Sequence, residues 1–180
     1  MPVASAQPGV RIRRYRLGDA TTVFDAARES AAELAPWMPW CHPGYSIDDS
    51  CRWLEAQVPA FERGEAFEFA IVTETDRYLG GCGLNHLEAE NRRANLGYWV
   101  RSSATRAGVA TAAVHALRDW AFRATDLVRL EIVVAIGNLA SQRVAEKSGA
   151  TREGIQRSRL LLHGRAHDAV MYSLTRPVVG

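Results

Sequence analysis

The chain of 180 residues is almost without lysine: Lys147 is the only one among 22 basic residues. The arginines are scattered along the chain, so the bias reads as the composition of a GC-rich bacterial genome and not as chemistry. Cysteine is scarce too, and Cys41, Cys51 and Cys82 are an odd set without CxxC spacing, which argues against a disulfide framework or a zinc knuckle. The five histidines show no metal-ligand spacing, so no metal is expected. No apolar run approaches the roughly 20 residues of a membrane span, and residues 1–9 lack the basic-then-apolar layout of a signal peptide. A soluble cytoplasmic protein with reduced thiols follows. The formal net charge of +2 leaves no field to draw the chain onto nucleic acid or anionic lipid, and no basic cluster with interleaved aromatics is present. Without repeats, low-complexity tracts or linkers, one domain over residues 1–180 is expected, with residues 1–8 as a flexible N-terminus.

What is present suffices for one core, since 47% of the residues are hydrophobic. Residues 10–15 alternate apolar with arginine, as a strand with one solvated face does. A helix is expected from Ala20 to Leu34, stopped by Pro36. Residues 36–45 are irregular yet hold Trp37 and Trp40, too much aromatic surface for an idle loop. Ser46 with Asp49 predicts a capped helix with a stripe at Ile47, Cys51, Leu54, Val58 and Phe61, bent or shortened by Pro59. Strand periodicity takes over at 67–73, 78–84 and 94–100, predicting an antiparallel meander. A helix from Val109 to about Thr125, a strand at 130–136 buried on both faces, a short helix at 139–148 and a final hairpin complete the order.

The most informative stretch is LGYWVRSSATRAGVAT, residues 96–111. A strand runs into a small-residue turn and then directly into a helix. Such a turn leaves backbone N–H groups pointing outward, the helix dipole adds about half a positive charge, and the site suits a pyrophosphate. Ala107, Gly108 and Ala110 let phosphate oxygens approach, and Arg106 can add a charge-assisted bond.

These residues resemble the GNAT superfamily, and within it the RimJ/RimL-like ribosomal-protein N-terminal acetyltransferases. LGYWV and TRAGVAT look like the family's fourth strand and pyrophosphate loop. Asn138 to Ser141 followed by VAEKSGA resembles its N-x-x-S helix. Glu153–Gly154, the HGRAHDAVMYSL hairpin, RIRRYRLGDA and PWMPW match further pieces, so the likeness spans nearly the whole chain. It implies an α/β (α+β) fold with a mixed, mostly antiparallel sheet of about seven strands, splayed between the fourth and fifth and flanked by about four helices. It also implies an acetyl-CoA-dependent N-acetyltransferase acting by direct attack on a primary amine, above all a protein or peptide N-terminal α-amine, with no metal required and a homodimer common among relatives.

Carried over residue by residue, the resemblance assigns acetyl-CoA to Tyr98, Trp99, Val100, Arg101, Thr105, Arg106, Ala107, Gly108, Val109, Ala110 and Thr111, with Asn138 and Ser141 beside the pantetheine and thioester. Thr105 and Arg106 depart from the usual loop residues. The family's leaving-thiolate tyrosine is replaced by Ala145, and Ser141 is the substitute. Asn138 is also a natural N-cap. Trp37 and Trp40 are candidates for the acceptor pocket, as is Asn95, which stands where the family often keeps a carboxylate; the late-strand carboxylate of some relatives falls at Leu160. An amine must be neutral to attack, and an α-amine of pKa near 8 is roughly a tenth neutral at pH 7. Glu33, Glu88 and Glu90 are the open candidates for the base. Trp53 is expected in the core, Asp168 as a brace of the last hairpin, and the Gly80–Gly83 run as a strand against which another backbone packs. Acetylation of an antibiotic or polyamine, and acyl-CoA binding without turnover, are the alternatives.

Overall fold

The computed structural model describes residues 9–177 and the backbone of residues 3–4. The sheet follows the predicted order: β1 (Val10–Arg14), β2 (Phe67–Thr73), β3 (Tyr78–Glu88), β4 (Arg93–Val100), β5 (Arg129–Ala135), β6 (Thr151–Leu162) and β7 (Arg165–Thr175). Spatially it runs β1-β2-β3-β4-β5-β7-β6, antiparallel except for the parallel pair β4–β5. Val3–Ala4 add a two-residue ladder at the β1 edge, and the rest of the segment expected to be flexible, residues 1–8, lies outside the described residues. Helices α1 (Ala20–Glu29), α2 (Ala31–Leu34) and α3 (Ile47–Arg63) cover one face; α4 (Val109–Ala124) and α5 (Leu139–Lys147) cover the other. Among the described residues no helix is long and apolar enough to cross a membrane.

Local chemistry explains where the elements depart from the sequence expectations. The helix expected from Ala20 to Leu34 breaks at Ser30, whose hydroxyl donates to the Ala26 carbonyl at 2.7 Å, and this makes five helices instead of four. The solvated face expected of β1 is not solvated at Arg13. Its guanidinium is buried, forks onto Asp19 at 2.7 and 2.9 Å and reaches Asp76 at 2.7 Å. The Ser46–Asp49 capping box forms at the start of α3 as predicted. Pro59 leaves α3 running to Arg63; the helical bond it removes would have ended on the carbonyl of Glu55, which is on an exposed residue. Of the expected stripe only Leu54 is fully buried, and the others are half-buried.

The core lies between the sheet and α4. Val109, Ala113, Ala116 and Leu117 are buried there, and Trp120 meets Phe67 and Phe69 at ring distances of 5.0 and 4.8 Å. Strand β5 buries Leu130, Ile132 and Val134, while Arg129, Glu131 and Val133 are only half-buried, so it is covered fully on one face and not on both. The half-covered face borders the site.

Candidate active site

Strands β4 and β5 pair only at Arg93, Ala94 and Asn95, opposite Arg129, Leu130 and Glu131. Beyond them β4 continues to Val100 with no ladder partner on its β5 side, so the sheet opens into a cleft. At the end of β4 the chain makes one 3-10 turn, Ser102–Ala104, and then the exposed residues 105–108 lead into α4. Gly108 occupies the N-cap with φ of 74°, a left-handed conformation that favours glycine. The first intrahelical bond runs from Ala112 N–H to Gly108 O at 3.0 Å, so the amides of Val109, Ala110 and Thr111 precede it. No side chain caps the helix. Those amides and the positive helix end form a cradle suited to an anion such as a diphosphate.

The first helical layer fixes this turn. Ser102 N–H donates to Ser30 Oγ at 2.9 Å and Ser103 N–H to Glu29 Oε1 at 2.8 Å, while Ser102 Oγ donates to Glu33 Oε2 at 2.9 Å. Arg101 donates through Nε to Glu29 at 2.9 Å and through Nη1 to the Tyr78 carbonyl. Arg101 and then Ser103 hold the Glu29 carboxyl down at about 2, so the brace stays ionised at every physiological pH. Arg101 therefore serves the turn through Glu29. Glu33 does the same: it is exposed, braces Ser102, and does not line the large cavity described below. Thr105 Oγ1 donates to Ser102 O at 2.8 Å, and Arg106 is exposed with φ of 61°.

On the other wall of the cleft, Ser141 N–H donates to Asn138 Oδ1 at 3.1 Å, which makes Asn138 the N-cap of α5. Ser141 Oγ lies 3.0 Å from the Tyr98 hydroxyl, which also donates to the Ser141 carbonyl at 3.0 Å. Burial pushes the Tyr98 phenol up to about 12, with the Ser141 contact pulling it back, so it stays protonated near neutrality. Tyr98 and Val100 pack toward α4, whereas Gly97 and Trp99 face α1–α3 by the alternation of the strand. Trp99, assigned to the cofactor by the resemblance, thus stands on the α1–α3 side, its ring 5.5 Å from that of Trp40.

That side holds a cavity of about 740 Å³. Trp37, Trp40, Trp53 and Trp99 line it, and Asn95, Gly97, Tyr98 and Leu160 also contribute to its lining. Trp53 packs edge-on against Tyr15 at 4.9 Å and also forms part of the wall, a role its sequence context did not reveal. Trp37 crosses toward the mouth of the cleft, where its ring would be 3.3 Å from a Cβ placed on Gly137. His163 at the β6–β7 turn lies 2.7 Å from the Ala35 carbonyl and ties the hairpin to the segment that carries Trp37.

One carboxylate in this cavity was missed. Glu68, on β2 between two phenylalanines, lies directly opposite Gly83 on β3, which lies opposite Gly97 on β4. The carboxylate folds over Gly83: a Cβ there would sit 2.0 Å from Glu68 Oε2. Asn95 Nδ2 donates to Asn85 Oδ1 at 2.9 Å, which turns the Asn85 amide N–H₂ toward Glu68. Burial pushes the Glu68 carboxyl up to about 7, and the hydrogen bond from Asn85 pulls against that rise. The glycine run of β3 is thus explained in two ways. Gly80, with φ of 154°, lies against the Trp99–Val100 backbone as expected, while Gly81 and Gly83 make room for the side chains of Tyr15, Trp99 and Glu68.

The family model described as "Acetyltransferase (GNAT) domain" matches residues 10–151. The chain belongs to the GNAT acetyltransferase family. This acetyltransferase is 38% identical to the putative ribosomal N-acetyltransferase YdaF of Bacillus subtilis, over 93% of its own length and 91% of that protein. It is 28% identical to the ribosomal-protein-serine acetyltransferase of Escherichia coli, over 76% and 75% of the two chains. Its fold is that of RimL, a ribosomal α-N-protein acetyltransferase solved with coenzyme A, with a TM-score of 0.88, 22% identity and coverage of 96% and 97%.

The remaining loop carboxylates of the acetyltransferase are not in the large cavity. Glu88 is bound by Arg93 and Asn91, which lower its pKa, and it lines a smaller cavity of about 380 Å³; Glu90 is exposed and lines neither. Asp168 accepts the Ser158 N–H at 2.9 Å across an irregularity of the β6–β7 ladder, the bracing role expected of it.

Proposed function

We propose that this acetyltransferase moves the acetyl group of acetyl-CoA by direct attack onto a primary amine, the α-amine of a protein or peptide N-terminus. The observation that carries the reading is that cleft and cavity share one strand: Tyr98 reaches Ser141 across the cleft, and Tyr98 and its neighbour Gly97 both line the acceptor cavity. Donor and acceptor therefore meet at β4. Acetyl-CoA supplies the acyl group as an activated thioester. Thr105, Arg106, Ala107, Gly108, Val109, Ala110 and Thr111 would hold its diphosphate, and β4 beyond Asn95 would pair with its pantetheine arm. Ser141, backed by Tyr98, is placed to return a proton to the departing sulfur.

The cavity favours an amine because tryptophan faces and the carboxylates of Glu68 and Asp49 suit an ammonium before it loses its proton. A protein N-terminus is favoured because relatives of this chain are named for ribosomal proteins, and because an α-amine of pKa near 8 needs less help than a lysine. We place the enzyme in the cytoplasm, as one domain. The test is thiol release from acetyl-CoA against peptides of differing N-termini and a panel of small amines. Preference for peptides supports the reading, preference for antibiotics or polyamines reassigns the acceptor, and release at the uncatalysed rate throughout removes the enzyme.

A further inference from the structure

We propose that Glu68 is the group that takes the proton from the acceptor amine, held in place by the Asn95–Asn85 amide relay and reached along a row without side chains at Gly83 and Gly97. The inference rests on the acetyl-transfer reading and supplies the base that reading lacks.

Geometry carries it. Glu68, Gly83 and Gly97 form one lateral row across β2, β3 and β4, with their side-chain positions on the acceptor face. Because the carboxylate folds over Gly83, it stands about one strand spacing, roughly 4.8 Å, from β4. A Cβ on Gly97 would meet nothing within 4 Å, so the space above it is open. An amine lying over Gly97 is then within direct or one-water reach of Glu68 and next to Tyr98, on the strand that borders the cleft. A side chain larger than hydrogen at position 83 would push the carboxylate away.

The other groups facing the cavity do not fit the role. Asp49 accepts from the Ser46 amide and hydroxyl and from Arg52, which hold it near 2, too acidic to draw a proton from an amine. The Tyr15 phenol and the Cys82 thiol are fully enclosed and pushed up by burial, so both stay protonated. His42 and His86 are exposed at the rim. Glu68 is the half-buried carboxylate with no cation against it, tuned to about 7 by its surroundings, close to an α-amine.

The protons balance as follows. The acceptor ammonium gives one proton to Glu68, which passes it to solvent. The freed lone pair forms the N–C bond to the acyl carbon and the C–S bond breaks. The second nitrogen proton is lost as the amide forms and replaces, by way of Ser141, the one taken up by the thiolate. The net products are the N-acetyl amide, the free thiol and one proton in solution.

The experiment compares wild type with Glu68→Gln and Gly83→Ala. For Glu68→Gln, kcat/KM at pH 7.5 should fall by about 10² to 10³-fold, with the acetyl-CoA dissociation constant, read by calorimetry, within twofold of wild type. The acidic inflection near pH 7 should vanish from its profile, and the deficit should shrink for acceptor amines of low pKa, which need no base. Gly83→Ala should reproduce the loss with coenzyme binding intact. Independently of turnover, infrared titration of the wild type should show a carboxyl band with a midpoint near 7 that Glu68→Gln lacks. An active wild type with Glu68→Gln within threefold of it at every pH, or no such band, overturns the proposal. An inactive wild type overturns the acetyl-transfer reading instead.

Discussion

Replacing Glu68 by glutamine should make the protein more stable at alkaline pH while disabling it. The carboxyl stands at about 7 in the folded chain against an ordinary 4.5, because burial disfavours its charged form. Between those values the folded state keeps a proton that the unfolded chain has already released, so stability falls as pH rises from about 4.5 to about 7, and the loss is complete above that. A difference of about 2.5 pH units corresponds to roughly 3 kcal/mol, and contact with solvent in the cavity reduces this to about 1–3 kcal/mol. Glutamine has the same shape and no charge, so its stability should not carry this slope. At pH 8 the variant should gain about 1–3 kcal/mol, which for a chain of this size is on the order of 5 °C in Tm; at pH 4.5 the two should melt together. Calorimetric melts at four pH values from 4.5 to 8 decide the matter. Parallel curves for the two proteins would show that Glu68 ionises as an ordinary surface carboxyl and would refute the reasoning.

Other outcomes follow from the same contacts. Arg13→Ala leaves Asp19 buried without its forked partner and should lower stability by about 3–5 kcal/mol, seen as a fall in the denaturant midpoint. Ser141→Ala and Tyr98→Phe remove opposite ends of one contact, so each should lower kcat by about tenfold or more, and the double variant should lose little beyond the worse single one in a double-mutant cycle. Gly80→Ala puts a Cβ 2.2 Å from the Trp99 carbonyl at a φ of 154°, and should prevent recovery of a cooperative melt.

The order of elements was legible because its marks are local. Ser46 and Asp49 announce a cap three residues apart, Gly108 stands between a strand pattern and a helix pattern, and Asn138 opens α5 as its N-cap. The turn proposed to cradle the cofactor is local too, and its strand-to-helix geometry could be read in the same way. The proposed acceptor site is assembled by register. Glu68 comes to lie beside β4 in the cavity only because it is opposite Gly83 on β3, which is opposite Gly97 on β4, and pairing of this kind leaves no trace in any short window of sequence. The one available signal was a glutamate between two phenylalanines in a strand facing a glycine run. Glu33 was misplaced for a related reason: the break at Ser30 turns α2 toward the loop before α4, so its carboxylate meets Ser102 and not the cavity. Arg13 looked solvated because its partners, Asp19 and Asp76, come from a different turn and a distant hairpin.

The claim on which all else depends is that the split beside β4 and the open end of α4 together hold acetyl-CoA. Calorimetric titration of the wild type and of Gly108→Val tests it directly, because valine is strained at the left-handed N-cap and crowds the first-turn amides. One-to-one binding by the wild type, weakened at least tenfold in a variant that still melts cooperatively, is the predicted result. A folded wild type that releases no heat with acetyl-CoA, or a valine variant that binds equally well, would contradict it.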